Sequence, residues 1–374
     1  MSVEVREVIG KGALARFIRL PLELPDRRPN FVPPLLADER ELHDPQRNPA
    51  LATCTVARWM AWRGTTAVGR VMGIVPHTWN ERTGERSARF FALDSINDGE
   101  VVRSLLDQVA VWARGQGMDR LIGPFGFSDR DPQGVQIEGF THLPVVATPT
   151  GPEWLPPLVE ACGFRPFEDM VSYRMEVRPG MARRFTAVAE RCLRGGKLRV
   201  VHIRTKRQLR PWVVPVLRLV NATYGELLGF TPMSEAEMQA LADKYMFILD
   251  PELVVLVVDG QDAPVAFVVA APDMSEGLQR ARGHLFPIGW WYILRAMRRA
   301  DQLDLLLGAV RTDLQAHGLT AVLGQRLLSV AEQRGYTHLD SHLVMVRNRK
   351  MCAQMERLGG VVWKRYRVYQ RELN

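Results

Sequence analysis

Four cysteines among 374 residues, Cys54, Cys162, Cys192 and Cys352, stand far apart, without disulfide-framework or metal-ligand spacing. That scarcity argues against a stapled secreted scaffold and a zinc module, and predicts a reducing cytoplasmic home with no metal. No apolar run reaches the length of a membrane span, because Asp259 and Asp262 interrupt residues 254–271. The amino terminus lacks the charged-then-apolar pattern of a secretion signal. Basic runs at 197–199, 204–210 and 364–367 come without a recognition helix or a stacking platform, so nucleic acid is not an expected partner.

Apolar residues make up 47% of the chain, enough for real cores in one or two domains. Lys and Arg number 49 against 41 acidic residues, a net charge of +8. A basic surface calls for acidic partners such as phosphates or anionic lipid.

The chain is organised around residues 305–335. Leu305-Leu306-Leu307-Gly308-Ala309-Val310 reads as a strand buried on both faces. Leu319, Val322, Leu323, Leu327, Leu328 and Val330 then recur at the helix period. Between them lies Gln315-Ala316-His317-Gly318-Leu319-Thr320, whose glycine stands where the helix opens. Unpaired amides at the positive end of a helix dipole suit a phosphate. A plain strand-to-helix connection is the other reading of the same six residues.

The spacing resembles the acyl-CoA loop of the GNAT superfamily of N-acyltransferases, Gln/Arg-x-x-Gly-x-Gly/Ala, with Val310 five residues ahead of Gln315. Thr320 stands where that family usually has Gly or Ala. Beyond Gly335, a strand over 336–346, Asn348, a helix over 350–358, Gly359-Gly360 and a last strand with Tyr366 and Tyr369 follow the order of a GNAT carboxyl-terminal half. The resemblance implies an α/β (α+β) fold with a mixed central sheet flanked by helices, and acyl-CoA as donor. Residues 315–320 would hold its pyrophosphate, and Gly308, Ala309, Val310 and Asn348 its pantetheine arm.

A distant internal repeat runs through the chain. Glu160, Gly163 and Tyr173 keep the spacing of Glu356, Gly359 and Tyr369, and helix, Gly117 and strand mirror helix, Gly335 and strand. Two tandem GNAT-like domains are therefore expected: 1–178 without the acyl-CoA loop, a linker helix over 179–197, and 198–374 with the loop. At the matching place the first copy has only Ile96-Asn97-Asp98-Gly99-Glu100. Residues 125–150, interrupted by Gly and Pro, read as a long pocket-lining loop. Ser234 and Glu237 spell a capping box. The aromatic stretch at 284–294, followed by Arg295, Arg298 and Arg299, fits an interfacial helix or a core helix with solvated arginines.

Across the whole chain, landmarks such as Asn30-Phe31-Val32-Pro33-Pro34, Asp250-Pro251 and Gly283-His284-Leu285-Phe286-Pro287 resemble a bacterial group of tandem GNAT-like proteins that includes ceramide synthases. What that implies is transfer of a long acyl group to a sphingoid base or similar lipid amine, on the cytoplasmic side and peripheral to the inner membrane. A non-catalytic acyl-CoA or lipid binder, and an N-acetyltransferase on a small amine, stay open. The amine must lose a proton and the thiolate gain one. Asp273, His342, Tyr224 and Glu226 are the candidate bases; a turn residue, a core histidine and solvent-facing groups are the plainer readings of the same positions. His342 alternates with Asp340 on one strand face. In many GNAT enzymes a tyrosine after the Asn is the acid; here Met355 takes that place, so either the thiolate leaves unaided or Tyr366 or Tyr369 substitutes.

Overall fold

The computed structural model describes residues 2–25 and 29–374. The first half runs β1 (Glu4–Glu7), α1 (Gly10–Glu23), α2 (Leu36–Leu42), β2 (Cys54–Arg63), β3 (Thr66–Pro76), α3 (His77–Thr83), β4 (Ser87–Ser95), α4 (Gly99–Gly115), β5 (Arg120–Gly123), β6 (Val135–Glu138), α5 (Leu155–Glu160) and β7 (Arg165–Glu176). After α6 (Arg183–Leu193) the order returns as β8 (Leu198–Val201), α7 (Lys206–Thr223), α8 (Glu235–Tyr245), β9 (Val254–Asp259), β10 (Pro264–Pro272), α9 (Ser275–Ala281), α10 (Gly289–Arg299), β11 (Gln302–Val310), α11 (Leu319–Gln333), β12 (His338–Met345), α12 (Arg349–Arg357) and β13 (Val361–Glu372).

Local sequence explains most of these elements. The run Val254-Val255-Leu256-Val257-Val258 in β9 is buried at every position, so helices cover that strand on both faces. Asp98 caps α4 by accepting from the amides of Glu100 and Val101, and Val102, Leu105, Leu106 and Val109 bury one helical stripe. The Ser234–Glu237 box opens α8 as its sequence indicates, and a second box, Thr205 with Gln208, opens α7.

All strands join one mixed sheet in the order β1-β2-β3-β4-β5-β13-β7-β12-β11-β10-β9-β8, with β6 beside β13. This is the mixed α/β architecture expected from the sequence, with one addition. Each half's closing strand lies in the other half's sheet: β13 pairs antiparallel with β5, and β7 pairs antiparallel with β12. The two closing strands meet at the centre, Tyr366 opposite Met170. Burying apolar side chains there, Met170, Val171, Met175 and Val368 among them, contributes about 1.5–3 kcal/mol apiece.

The exchange explains the repeat. Tyr173 donates its hydroxyl to Glu356 Oε1 at 3.2 Å, and Tyr369 donates to Glu160 Oε1 at 3.0 Å. Each repeated tyrosine thus reaches the glutamate of the other copy. Position 178, the expected end of the first segment, lies just past β7, the strand that completes the second half's sheet.

Candidate active site

Strands β11 and β12 run parallel for three rungs, Gln302 with His338, Leu303 with Leu339 and Asp304 with Asp340. Beyond Asp304 they part, β11 staying with β10 as far as Val310 and β12 staying with β7 as far as Met345. A register shift opposite Val269 and Ala270 leaves Leu306 as an extra residue and bends β11 away. The gap therefore exposes backbone edge on both strands.

The loop at 315–320 follows β11 at the end where the two strands have parted, with Gly318 against Val188 and Cys192 of α6. Ala316 has φ 66° and Gly318, the residue capping α11, has φ 88°. The amides of Ala316, Gly318, Leu319 and Thr320 find no acceptor among the described residues, which makes a concave nest of donors at a helix start. Leu319 gives only its amide, since its side chain is buried with Val322 in the core beneath. Gln315, Ala316, His317 and Thr320 are exposed. Gln315 holds its amide side chain 3.5 Å from the Val310 carbonyl, and its own carbonyl lies 2.9 Å from His317 Nδ1. Asn348 spends its side chain on capping α12, accepting from the Met351 amide at 3.2 Å.

The first half has the same parting strands and fills the gap. Ser87, Ala88 and Arg89 pair with Arg120, Leu121 and Ile122, so Arg89 stands where Asp304 stands in the second half. Buried Arg89 donates to the carbonyls of Gly126 and Phe127 at 2.8 and 2.9 Å, with its guanidinium 4.3 Å from the Phe125 ring centre. Asp98 already occupies the amides at the start of α4.

Residues 139–150 of the first half roof the second half's site. Ser275 Oγ lies 2.6 Å from the Pro144 carbonyl and His342 Nε2 lies 3.0 Å from the Val146 carbonyl. The ring of His342 therefore donates through Nε2, leaving Nδ1 as the acceptor nitrogen. Burial pushes its pKa down, against the opposing pull of Asp340. Asp273 directly follows β10 and accepts from Ser275 through both amide (2.9 Å) and hydroxyl (2.6 Å). Tyr366 is fully buried near Thr148, and burial raises its pKa. Tyr224 donates to the Gly308 carbonyl at 2.8 Å and is pushed up to about 12 by burial. Glu226 is exposed. Met355 packs into the apolar clusters on either side of α12.

Three buried groups complete the floor. Asp340 accepts from Ser172 Oγ (2.7 Å), the His342 amide (2.8 Å) and Trp363 Nε1 (2.9 Å). Lys364 Nζ lies 3.9 Å from Asp340 Oδ2. Asp304 accepts from Gln302 Nε2 at 2.9 Å through one oxygen only. Asp304 was not among the residues expected from the sequence, where the available signal was a lone acid directly before the apolar run that begins at Leu305; Lys364, part of the basic run 364–367, is buried rather than on a solvated face.

Beside this floor, α10 buries Ile293 with Met297 partly buried over Leu306, Val146 and Met274. It leaves Trp290, Trp291 and Leu294 exposed at 44, 47 and 40%, with Phe286 and Ile288 just before them. Arg295 lies over the Trp291 ring, 5.3 Å from its centre. Among the described residues no helix is long and apolar enough to cross a membrane.

Duplicated strand order, a parting between β11 and β12, and a donor nest at the start of α11 define a tandem GNAT architecture, the doubled form of an N-acyltransferase fold. A tandem GNAT protein from the clavulanic acid biosynthesis pathway superposes on 100% of this chain and 99% of its own, with TM-score 0.53 and 12% identity. No family model matches the chain. In sequence it is similar to Protein YghO of Escherichia coli, 26% identical over 378 residues, covering 99% of this chain and 95% of that one. It is also similar to the bacterial ceramide synthase of Caulobacter vibrioides, 27% identical over 370 residues, covering 96% and 95%.

Proposed function

We propose that the protein is an acyl-CoA-dependent N-acyltransferase that places a long acyl group on a sphingoid base or similar lipid amine. The observation that carries this reading is the cluster of unpaired amides at Ala316, Gly318, Leu319 and Thr320 beyond the end of β11, where the amides at the matching helix start of the first half are taken by Asp98. Pyrophosphate on that nest lays the pantetheine arm along the edge of residues 308–310, where a backbone amide polarises the thioester carbonyl. Similarity to a ceramide synthase along nearly the whole chain supports a lipid amine as acceptor.

The thiolate of CoA, with a thiol pKa of about 8.5, leaves without strong acid help, and Tyr366, held neutral by burial, keeps a proton to give. Tyr224 is committed to the Gly308 carbonyl, so it orients β11 rather than moving a proton. Exposed aromatics and arginines on α10 suit contact with an anionic membrane face on the cytoplasmic side.

Incubating the purified protein with a panel of acyl-CoAs and long-chain amines, and following free thiol, tests the reading. Release only with lipid amines is expected; release with none refutes catalysis. Met355, at the position of the family's tyrosine acid, favours a second reading as a non-catalytic acyl-CoA or lipid binder. That reading predicts acyl-CoA binding with no thiol release from any amine, including the small amines an N-acetyltransferase takes.

A further inference from the structure

Asp304 sits at the last paired rung before β11 and β12 part, 1% exposed. Its Oδ2 has no hydrogen-bond partner among the described residues, and neither does Nζ of Lys364, which is 0% exposed and has only the 3.9 Å approach to Asp340 Oδ2 and the face of Trp363 beside it. An unpaired carboxylate oxygen in the interior is unfavourable unless something neutralises it. Nothing in the packing requires that cost, since an apolar side chain would continue the run that begins at Leu305.

The charges around Asp304 come from every neighbouring strand. Asp273, just past β10, Asp340 of β12 and Lys364 of β13 act on Asp304 directly, while His342 of β12 lies against Asp340 and Lys364, and Arg174 of β7 against Lys364. With His342 neutral, three carboxylates face two cations, so ionised Asp304 leaves one negative charge without a counterpart. Burial, then Asp273 and Asp340, raise its pKa well above the ordinary carboxylate range. Unliganded, the cluster balances by keeping a proton on Asp304. One step along the same strand face lies Leu306, under Ile293 and Met297 of α10 with Val146 and Met274. A site for one positive charge thus adjoins the apolar cluster beneath a helix whose outer face is rich in tryptophan.

We propose that Asp304 receives the ammonium head of the acceptor and takes its proton, while the acceptor's hydrocarbon chain lies under α10. The proposal rests on the acyltransfer reading for its second step only. The arriving ammonium supplies the missing charge and displaces the resident proton. Asp304 carboxylate and R–NH3+ then become Asp304 carboxylic acid and R–NH2. The freed nitrogen lone pair forms the bond to the thioester carbon, and the carbon–sulfur bond breaks with its electron pair going to sulfur. The proton lost from the new amide nitrogen ends on that sulfur, giving free thiol, and Asp304 returns its own proton to solvent. Alkylamines titrate near the lysine value of about 10.4, so a proton acceptor of raised affinity is what the step needs at neutral pH.

Asp304→Asn keeps the shape and removes the charge; Asp304→Ser is the second variant should the first not fold. Without acyl-CoA, calorimetry with dodecylamine below its micelle concentration and dodecanol below its solubility limit is expected to show wild type preferring the amine at least tenfold. Asp304→Asn is expected to bind both alike, with a melting temperature at or above wild type. In thiol release at pH 7.5, Asp304→Asn is expected to lose about a hundredfold or more with dodecylamine. Activity should recover as pH approaches 10, and to within tenfold of wild type with O-dodecylhydroxylamine, whose aminooxy group is unprotonated at neutral pH. A retained amine preference in the variant overturns the proposal, as does a loss of turnover that neither pH nor the aminooxy nucleophile restores. If wild type prefers the amine yet releases no thiol with any nucleophile, the acyltransfer reading falls and the ammonium site stands.

Discussion

Replacing Gly318 by alanine isolates the donor nest from the rest of the fold. The residue has φ +88°, and a Cβ there meets Val188 Cγ1 at 3.2 Å and Cys192 Cβ at 3.5 Å, both on α6. A side chain in the left-handed region costs about 1–2 kcal/mol, and the close contact obliges α6 to give by a few tenths of an ångström. At about 2.1 cal/mol/K per residue of unfolding entropy, that loss lowers the melting temperature by roughly 1–3 °C. Binding responds more strongly, because relaxing φ turns the 318–320 amides off their common focus. A hydrogen bond to a charged group contributes about 1.5–3 kcal/mol, so losing one weakens CoA by roughly ten- to a hundredfold. Titration calorimetry with CoA alongside thermal melts reads both effects. Gly335→Ala, at the far end of the same helix with φ +76° and open space around its Cβ, serves as control. It should lose comparable stability and keep CoA affinity. Affinity of Gly318→Ala within twofold of wild type, or an equal loss in the control, refutes the pyrophosphate assignment.

Three further outcomes follow from the geometry. His43, buried beside Arg58 and Arg70, has its pKa lowered to about 3, chiefly by burial. The unfolded chain therefore binds the extra proton between pH 6.5 and 3, so this contribution is complete above 6.5 and lost as pH falls; from pH 7.5 to 4.5 about 3 kcal/mol should go, and urea melts of His43→Gln should lack it. Tyr173→Phe and Tyr369→Phe each remove one bond between the copies, at a cost of about 1 kcal/mol apiece; urea denaturation of the double variant should show the sum, and no loss in either single variant would count against the two bonds. Trp290→Ser with Trp291→Ser should abolish sedimentation with phosphatidylglycerol vesicles while leaving CoA affinity unchanged; undiminished sedimentation would rule out α10 as the membrane-facing surface.

The fold class was legible because its signals are local. The apolar run at 305–310, the helix period from Leu319 and the capping box at Ser234 each depend on residues a few positions apart, and all three elements are present. Among the candidate site residues, Asp273 and His342 lie around one buried polar floor, whereas Tyr224 is tied to Gly308 and Glu226 faces solvent. Residue type alone did not separate them, because a tyrosine's partner is set by the strand that passes its hydroxyl.

The amino-acid sequence by itself determined the duplicated order of elements and the glycine-bearing turn before α11. Both arise from contiguous residues, through periodicity and through the unpaired amides of a helix start. Only the tertiary structure decided that each copy's last strand completes the other's sheet, bringing Tyr173 to Glu356 and Tyr369 to Glu160 across about half the chain. It alone decided that Asp304 stands buried with one oxygen unpaired while its counterpart Arg89 fills the other gap. The physical reason is that burial and electrostatic neutralisation are properties of the space between strands, and residues far apart in the chain define that space.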